Sequence, residues 1–433
     1  MRPQLARLAP LGVAALLILV AAGPARSAGG ATYYVSPAGS DSNPGTIDAP
    51  WRTVARVNSA PLAPGDTVLF RGGASFTGTP LMPSASGSAT APITFGSYGT
   101  GDASISSGDG GAWLASGLHD LVFDGLDLSS SGAIVFASSA HGSGTHRIVL
   151  ENSILHDSPF AGVLNQPQDS DWTIAHDVFR HLGDSGLIVT SPGTTITGNT
   201  IVDTGWNPAL AYGKHGIYAK APDITISYND ISYDAHGSAI SLRCRDARVF
   251  GNSIHDTPYA ISFFPEDPVN SGTSFVYYNK LWNISGFVFY YAGTNSDGRP
   301  AGMDLVWASN TAEMDGAEEA VNVSEIRTAR VWIANSVFMG SYGSAYRGCT
   351  TCTEYHNDWY GGSRNVPSGA GDEHVRPDLT AAPWLAPSSS SSVVNTGTRT
   401  VAGISYSPDC NGGVMEYCST APDEGAVEYA SRS

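Results

Sequence analysis

The 433-residue chain is short of charge, of cysteine and of long apolar runs. Charged residues make up only 14%, which disfavours long solvated helices. Cations are scarcest: 22 Lys and Arg stand against 39 Asp and Glu, giving a net charge of -17. Such a surface repels nucleic acid and anionic lipid, so neither is expected as a partner. No phosphate-binding loop, HExxH pair, GxSxG elbow or dinucleotide fingerprint stands in a supporting strand-helix context. That removes the commonest nucleotide, zinc-protease and serine-hydrolase chemistries.

One apolar run exists, in "MRPQLARLAPLGVAALLILVAAGPARSAGG". It is shorter than the roughly 18 to 20 residues of a spanning helix, so no membrane span is expected. Arg2 and Arg7 ahead of it, with Ala-x-Ser at Ala25 to Ser27 behind it, fit a secretory signal over residues 1–27. The mature protein is then secreted and extracellular. Five cysteines in a secreted monomer leave at least one unpaired. Cys410 and Cys418 flank a Gly-Gly turn that a disulfide would close, Cys349 and Cys352 favour a disulfide over a zinc half-site, and Cys244 is the expected unpaired thiol.

What the chain has in excess is Gly, 50 residues, with abundant Ser, Thr and Asn. This composition suits many short strands joined by turns. A phrase recurs, an alternating apolar strand, a small polar residue and another apolar step: "IVLENSIL", "TITGNTIV", "ITISYNDI", "RVFGNSIH", "FVYYNKLW" and "RVWIANSVF". After an opening Gly125, the polar marker falls at Asn152, Asp177, Asn199, Asn229, Asn252, Asn279, Asn310, Asn335 and Asn357, spaced by roughly 22 to 31 residues. That spacing is one coil of a parallel solenoid, in which each coil lies about 4.8 Å from the next and buries a face no coil buries alone. Asn at a repeated turn tolerates left-handed backbone and bonds to the Asn above.

The pattern resembles the right-handed parallel β-helix superfamily, which includes pectate lyases and other polysaccharide-degrading enzymes. The resemblance implies an all-β solenoid with an N-terminal capping helix near "WRTVARVN". The expected organisation is a leader over 1–27, a cap and first coils over 28–110, a β-helix core over 111–365 and a closing segment over 366–433.

The coils repeat themselves most plainly in "GKHGIYAKAPDITISYNDISYDAHGSAISLRCRD". Aligning the strands from Gly186, Gly216, Ala239, Ala260 and Phe287 puts Lys220 and Arg243 outward on adjacent coils. Two stacked cations disfavour each other's charge, so the Lys220 pKa is expected to fall toward a base's range, with Arg243 free to bind a carboxylate. Lys followed by Arg one coil later is similar to the alginate lyase and chondroitinase B family. That resemblance implies β-elimination on a glycan containing uronic acid, with Lys220 as base and Arg243 stabilising the developing charge. The same family holds calcium with acidic side chains a coil away, but this chain has no Glu between Glu151 and Glu266. Calcium stays a candidate, and the residues themselves demand no cofactor.

Tyr218, His215 and His236 complete the expected catalytic set, the two histidines because each precedes a Gly in matching phrases. Trp206, Tyr212, Phe264 and Tyr291 are expected to line an outward aromatic stripe, with Phe289 beside them, and Lys214 and Arg245 to bind flanking acidic sugars. Two other readings compete. Asp223, Asp246 and Asp267, with Glu266 beside the last, form a carboxylate column compatible with an inverting glycoside hydrolase, and the aromatic stripe alone would serve a carbohydrate-binding or adhesion solenoid.

Overall fold

The computed structural model describes residues 30–139, 144–210, 214–234, 236–264, 266, 272–292, 302–326, 329–394, 396–406 and 422–427. The leader, Tyr212, Asp267, Cys410 and Cys418 lie outside the described residues.

Strand after strand pairs in parallel with the equivalent strand of the next coil. Among the described residues, one face is a 13-stranded sheet, and the other two strand columns of the coils join in an 18-stranded sheet. The site lies on the latter, and its elements are β1 Leu187–Val189, β2 Ile217–Ala219, β3 Ser238–Leu242, β4 Ser253–Phe263, β5 Lys280–Tyr291, β6 Thr311–Asn322 and β7 Val337–Arg347. From β4 onward one long strand spans two columns, because the turn between them has closed up.

Period-two alternation fills the interior. Leu187, Ile217, Ile240, Ile261 and Phe289 stack inward in register, as do Ile174, Ile196, Ile226, Val249 and Val276 on the opposite sheet. All ten are fully buried. Each buried Leu, Ile, Val or Phe contributes about 1.5–3 kcal/mol, so a continuous apolar column holds the coils together.

The expected Asn ladder is present, with a division of labour the repeat alone did not reveal. Asn199 donates its amide to Oδ1 of Asn229 at 2.9 Å, Asn229 to Asn252, Asn252 to Asn279 and Asn279 to Asn310, each also at 2.9 Å. The left-handed backbone belongs to the preceding residue: Gly125, His176, Gly198, Tyr228, Gly251, Tyr278, Ser309 and His356 all have positive φ. Asn152 and Asn335 fall in that column, at φ 53° and 50°, so they are turn residues, and Ser153 and Ser336 hold the rungs beside them.

The helix near the start is α1, Val54–Asn58, five residues long, capped by the Thr53 hydroxyl and burying Val54 and Val57. Cys349 and Cys352 form a disulfide, and Cys244 is buried in the core. At the far end, Gly425 donates to the Asn335 carbonyl at 2.7 Å and Ala426 to the Thr311 hydroxyl at 2.8 Å, fastening residues 422–427 along the coils. No helix among the described residues is long and apolar enough to cross a membrane.

Candidate active site

Strand pairing puts Ile188, Tyr218, Ser241, Ser262, Tyr290, Asn322 and Arg347 in one outward column over β1 to β7. Lys220 and Arg243 lie just beyond their strands on adjacent coils, as their spacing predicts. What joins them is Glu266, from the third coil. Its carboxylate receives Lys220 Nζ at 2.9 Å on Oε2 and an Arg243 guanidinium nitrogen at 3.2 Å on Oε1. Arg243 Nε also donates to the Ser241 hydroxyl at 3.2 Å, and the Glu266 backbone donates to the Arg243 carbonyl at 2.9 Å.

This corrects the expected behaviour of Lys220. Burial does pull its pKa down, but the Glu266 carboxylate and Tyr218 raise it above the ordinary lysine value. The two cations are not a bare repulsive stack; they share an anion. Below them lies an aromatic floor: Lys220 Nζ and the Arg243 guanidinium each sit 5.1 Å from the Tyr218 ring centre, and Arg243 is 4.5 Å from the Phe264 ring.

His215 closes the site on the other side of Tyr218, its ring centre 5.0 Å away. It is buried, and the Ser238 backbone N–H donates to its Nδ1 at 3.0 Å, so a neutral ring carries its proton on Nε2. That Nε2 has no hydrogen-bond partner among the described residues. Burial, then the Arg243 charge, pushes the His215 pKa down to about 4, so the ring is a neutral donor at pH 7.

Several expected members fall elsewhere. Ser238, not His236, is in register with His215, and His236 is exposed; the shared His-Gly phrase is offset by two residues once the strands pair. Lys214 is buried, with Nζ donating to the Asn207 carbonyl, so it anchors its loop and is not available to a sugar acid. Arg245 pairs with Asp246 at 2.7 Å. Tyr291 points inward and donates its hydroxyl to the Met303 carbonyl at 2.6 Å, and Phe289 is likewise core. The cause is a register slip between β4 and β5: Thr257 to Tyr259 pairs with Ile284 to Phe287, one extra residue, which turns Tyr290 outward instead. Trp206 stacks on His181 at 5.1 Å, on the strand column that precedes the Lys220 column in each coil. Asp223 and Asp246 have φ of 59° and 56°, left-handed turn positions, and Asp246 Oδ1 also accepts from the Thr273 backbone at 3.1 Å.

A family model described as "Right handed beta helix region" matches residues 118–296. The chain is a right-handed parallel β-helix. Among solved structures, XylC in complex with xylose is similar with a TM-score of 0.60 at 10% identity, over 81% of this chain and 87% of that one. Pectate lyase Pel9A has a TM-score of 0.48 at 16% identity, over 92% of this chain and 96% of that one. The GH136 lacto-N-biosidase from Eubacterium ramulus also has a TM-score of 0.48 at 16% identity, over 76% of this chain and 68% of that one. No curated protein matches the chain. At 10% identity the likeness to XylC is one of fold.

Calcium does not fit the donors at this site of the β-helix. Glu266 is the carboxylate that touches Lys220 and Arg243, and both of its oxygens are taken by those cations. Among the described residues no group of three or more His, Cys, Asp or Glu is placed to hold a metal ion. Sequence reasoning placed Glu266 only beside the carboxylate column and did not bring it to Lys220 and Arg243. In the strand alignment it falls level with Arg245, and only the length of its side chain brings it back across Arg243 to Lys220.

Proposed function

We propose that this protein is a secreted, monomeric polysaccharide lyase that cleaves a glycan containing uronic acid by β-elimination. The observation behind this is a single carboxylate held between Lys220 and Arg243 over the Tyr218 and Phe264 rings. A uronate carboxylate has the charge and shape of the Glu266 side chain, so the substrate enters by exchange, its acid group taking the place of Glu266 on Arg243. The aromatic floor supports the sugar ring.

Once Glu266 has withdrawn and the uronate carboxylate sits on Arg243, Lys220 is left partly buried without its paired carboxylate, which favours its neutral form. Neutral Lys220 takes the proton from C5 while Arg243 stabilises the negative charge that spreads into the carboxylate. The electron pair of the C5–H bond becomes a C4=C5 double bond, the C4–O4 bond breaks, and Tyr218 protonates the departing oxygen. Asp223 and Asp246 have turn roles of their own, so the hydrolase alternative draws no support from them.

The test is turnover on polygalacturonate, alginate, chondroitin sulfate and neutral xylan, following ultraviolet absorbance of a new double bond together with reducing ends. A lyase raises both signals on an acidic glycan. Reducing ends without absorbance would favour a hydrolase, and binding without either signal a carbohydrate-binding solenoid.

A further inference from the structure

The outward face of the neighbouring strand column carries a different cluster. His255, on β4, has Nε2 2.9 Å from Asp230 Oδ1 and Nδ1 2.6 Å from Asp256 Oδ2. Both nitrogens face carboxylates, so both carry protons and the ring is an imidazolium. Burial works against that charge, but the hydrogen bonds to Asp230 and Asp256 lift the pKa above the usual histidine value. The ring is thereby fixed, and it lies flat against Trp282 of the next coil, 4.3 Å between centres and 7° between planes.

One face of Trp282 is therefore occupied by an immobilised cation. The pocket it helps to form involves the following coil: a cleft of about 410 Å³ lined by Trp282, Asn283, Glu313, Met314 and Asp315. Pairing sets Glu313 level with Trp282 and Met314 level with Ile284, so Glu313 points outward beside the indole while Met314 turns into the core. Asn283 is held in a left-handed conformation, its amide nitrogen donating to Asp256 Oδ1. A rigid indole, two carboxylates and an amide thus meet in one open cleft.

We propose that this cleft binds a pyranose unit of a neutral glycan, with the sugar ring stacked on Trp282 and its hydroxyls donating to Glu313 and Asp315. The C–H face of a pyranose is apolar and weakly positive, which suits the negative face of an indole. Carboxylates are strong acceptors for hydroxyl donors. Glu313 and Asp315 repel a uronate, so charge selects an uncharged sugar. This site shares no residue with Lys220, Arg243 or Glu266 and does not depend on their assignment.

The test is calorimetric titration of the full chain with cellohexaose, xylohexaose and mannohexaose, and with polygalacturonate as the anionic probe. At least one neutral hexasaccharide should bind; Trp282→Ala should weaken it at least tenfold and Glu313→Gln with Asp315→Asn severalfold, with polygalacturonate affinity unchanged in both. Failure of all three neutral probes to bind, or equal binding by wild type and the Glu313/Asp315 variant, would overturn the proposal. Should Trp282→Ala fail to fold, the surface carboxylate variant decides alone. Loss of polygalacturonate binding in Lys220→Ala is a separate outcome that bears only on the lyase assignment.

Discussion

Two faces of one solenoid solve the same electrostatic problem in opposite ways. On the β2 to β4 face, a lysine and an arginine share one carboxylate, Glu266, leaving a positively charged recess over aromatic rings. On the adjacent face, single histidines are each held by two carboxylates: His156 by Asp127 and Asp157, and His255 by Asp230 and Asp256. The first arrangement leaves an anion that a substrate anion can replace. The second is already saturated, so it builds a rigid support and presents acceptors outward.

The sharpest way to break the comparison is to remove one cation. Lys220→Ala and Arg243→Ala should each lower kcat/KM on the cleaved glycan by about 10²- to 10⁴-fold, the range for loss of a general base or a charge-stabilising donor. His156→Gln, on the other face and outside both proposed sites, should leave kcat/KM within about twofold. Equal loss in all three would mean that the two faces are not chemically distinct.

A finer test acts on the shared carboxylate. Glu266 favours the protonated form of Lys220, so Glu266→Gln should lower the Lys220 pKa and move the rising limb of the kcat/KM profile to lower pH. Activity at neutral pH should then rise by several-fold to about tenfold, since one pH unit on such a limb is a factor of ten. An unmoved limb would remove Lys220 as the base.

Both faces hang on the same ladder, and its weakest rung is Asp177. It stands where other coils carry Asn, its Oδ1 accepts from the Ser153 backbone at 2.8 Å, and its Oδ2 is buried without a partner among the described residues. Burial pushes its pKa up to about 8. A carboxyl whose pKa is raised on folding binds more protons folded than unfolded, so stability falls as pH rises from near 4 through 8. Asp177→Asn restores an amide donor and removes that dependence. Denaturant unfolding should find the variant more stable by a few kcal/mol at pH 8, with the gap narrowing toward pH 5.

The sequence made the scaffold legible because a solenoid repeats its physics: the same alternation, turn and rung return in every coil, so each coil tests the reading of the others. Lys220 over Arg243 was legible for the same reason. Glu266 was not, since it acts across two coils through side-chain length, which no alignment of strands records. Tyr291 and Phe289 were misread because one extra residue between β4 and β5 reverses inside and outside, and a slip of one is invisible where apolar residues run "FVFYY" without alternation. The His255 and Trp282 stack was missed because its partners come from three successive coils, and their spacing in the chain follows loop lengths instead of chemistry.

The smallest effect expected separates the faces by pH alone. Hydrogen bonds to Asp127 and then Asp157 raise the His156 pKa, against the opposing pull of burial. A histidine whose pKa is raised on folding contributes stability that is fully present below its unfolded value, near 6.5, and is lost as pH rises through the folded value. His156→Gln should therefore destabilise the protein by about 1 kcal/mol at pH 5.5 and by progressively less toward pH 9, read as the shift in denaturation midpoint. Asp177→Asn moves in the opposite sense over the same interval, its benefit growing as that of His156 fades. A pH-independent penalty for His156→Gln would show that the Asp-His-Asp arrangement packs the face without being held together by charge.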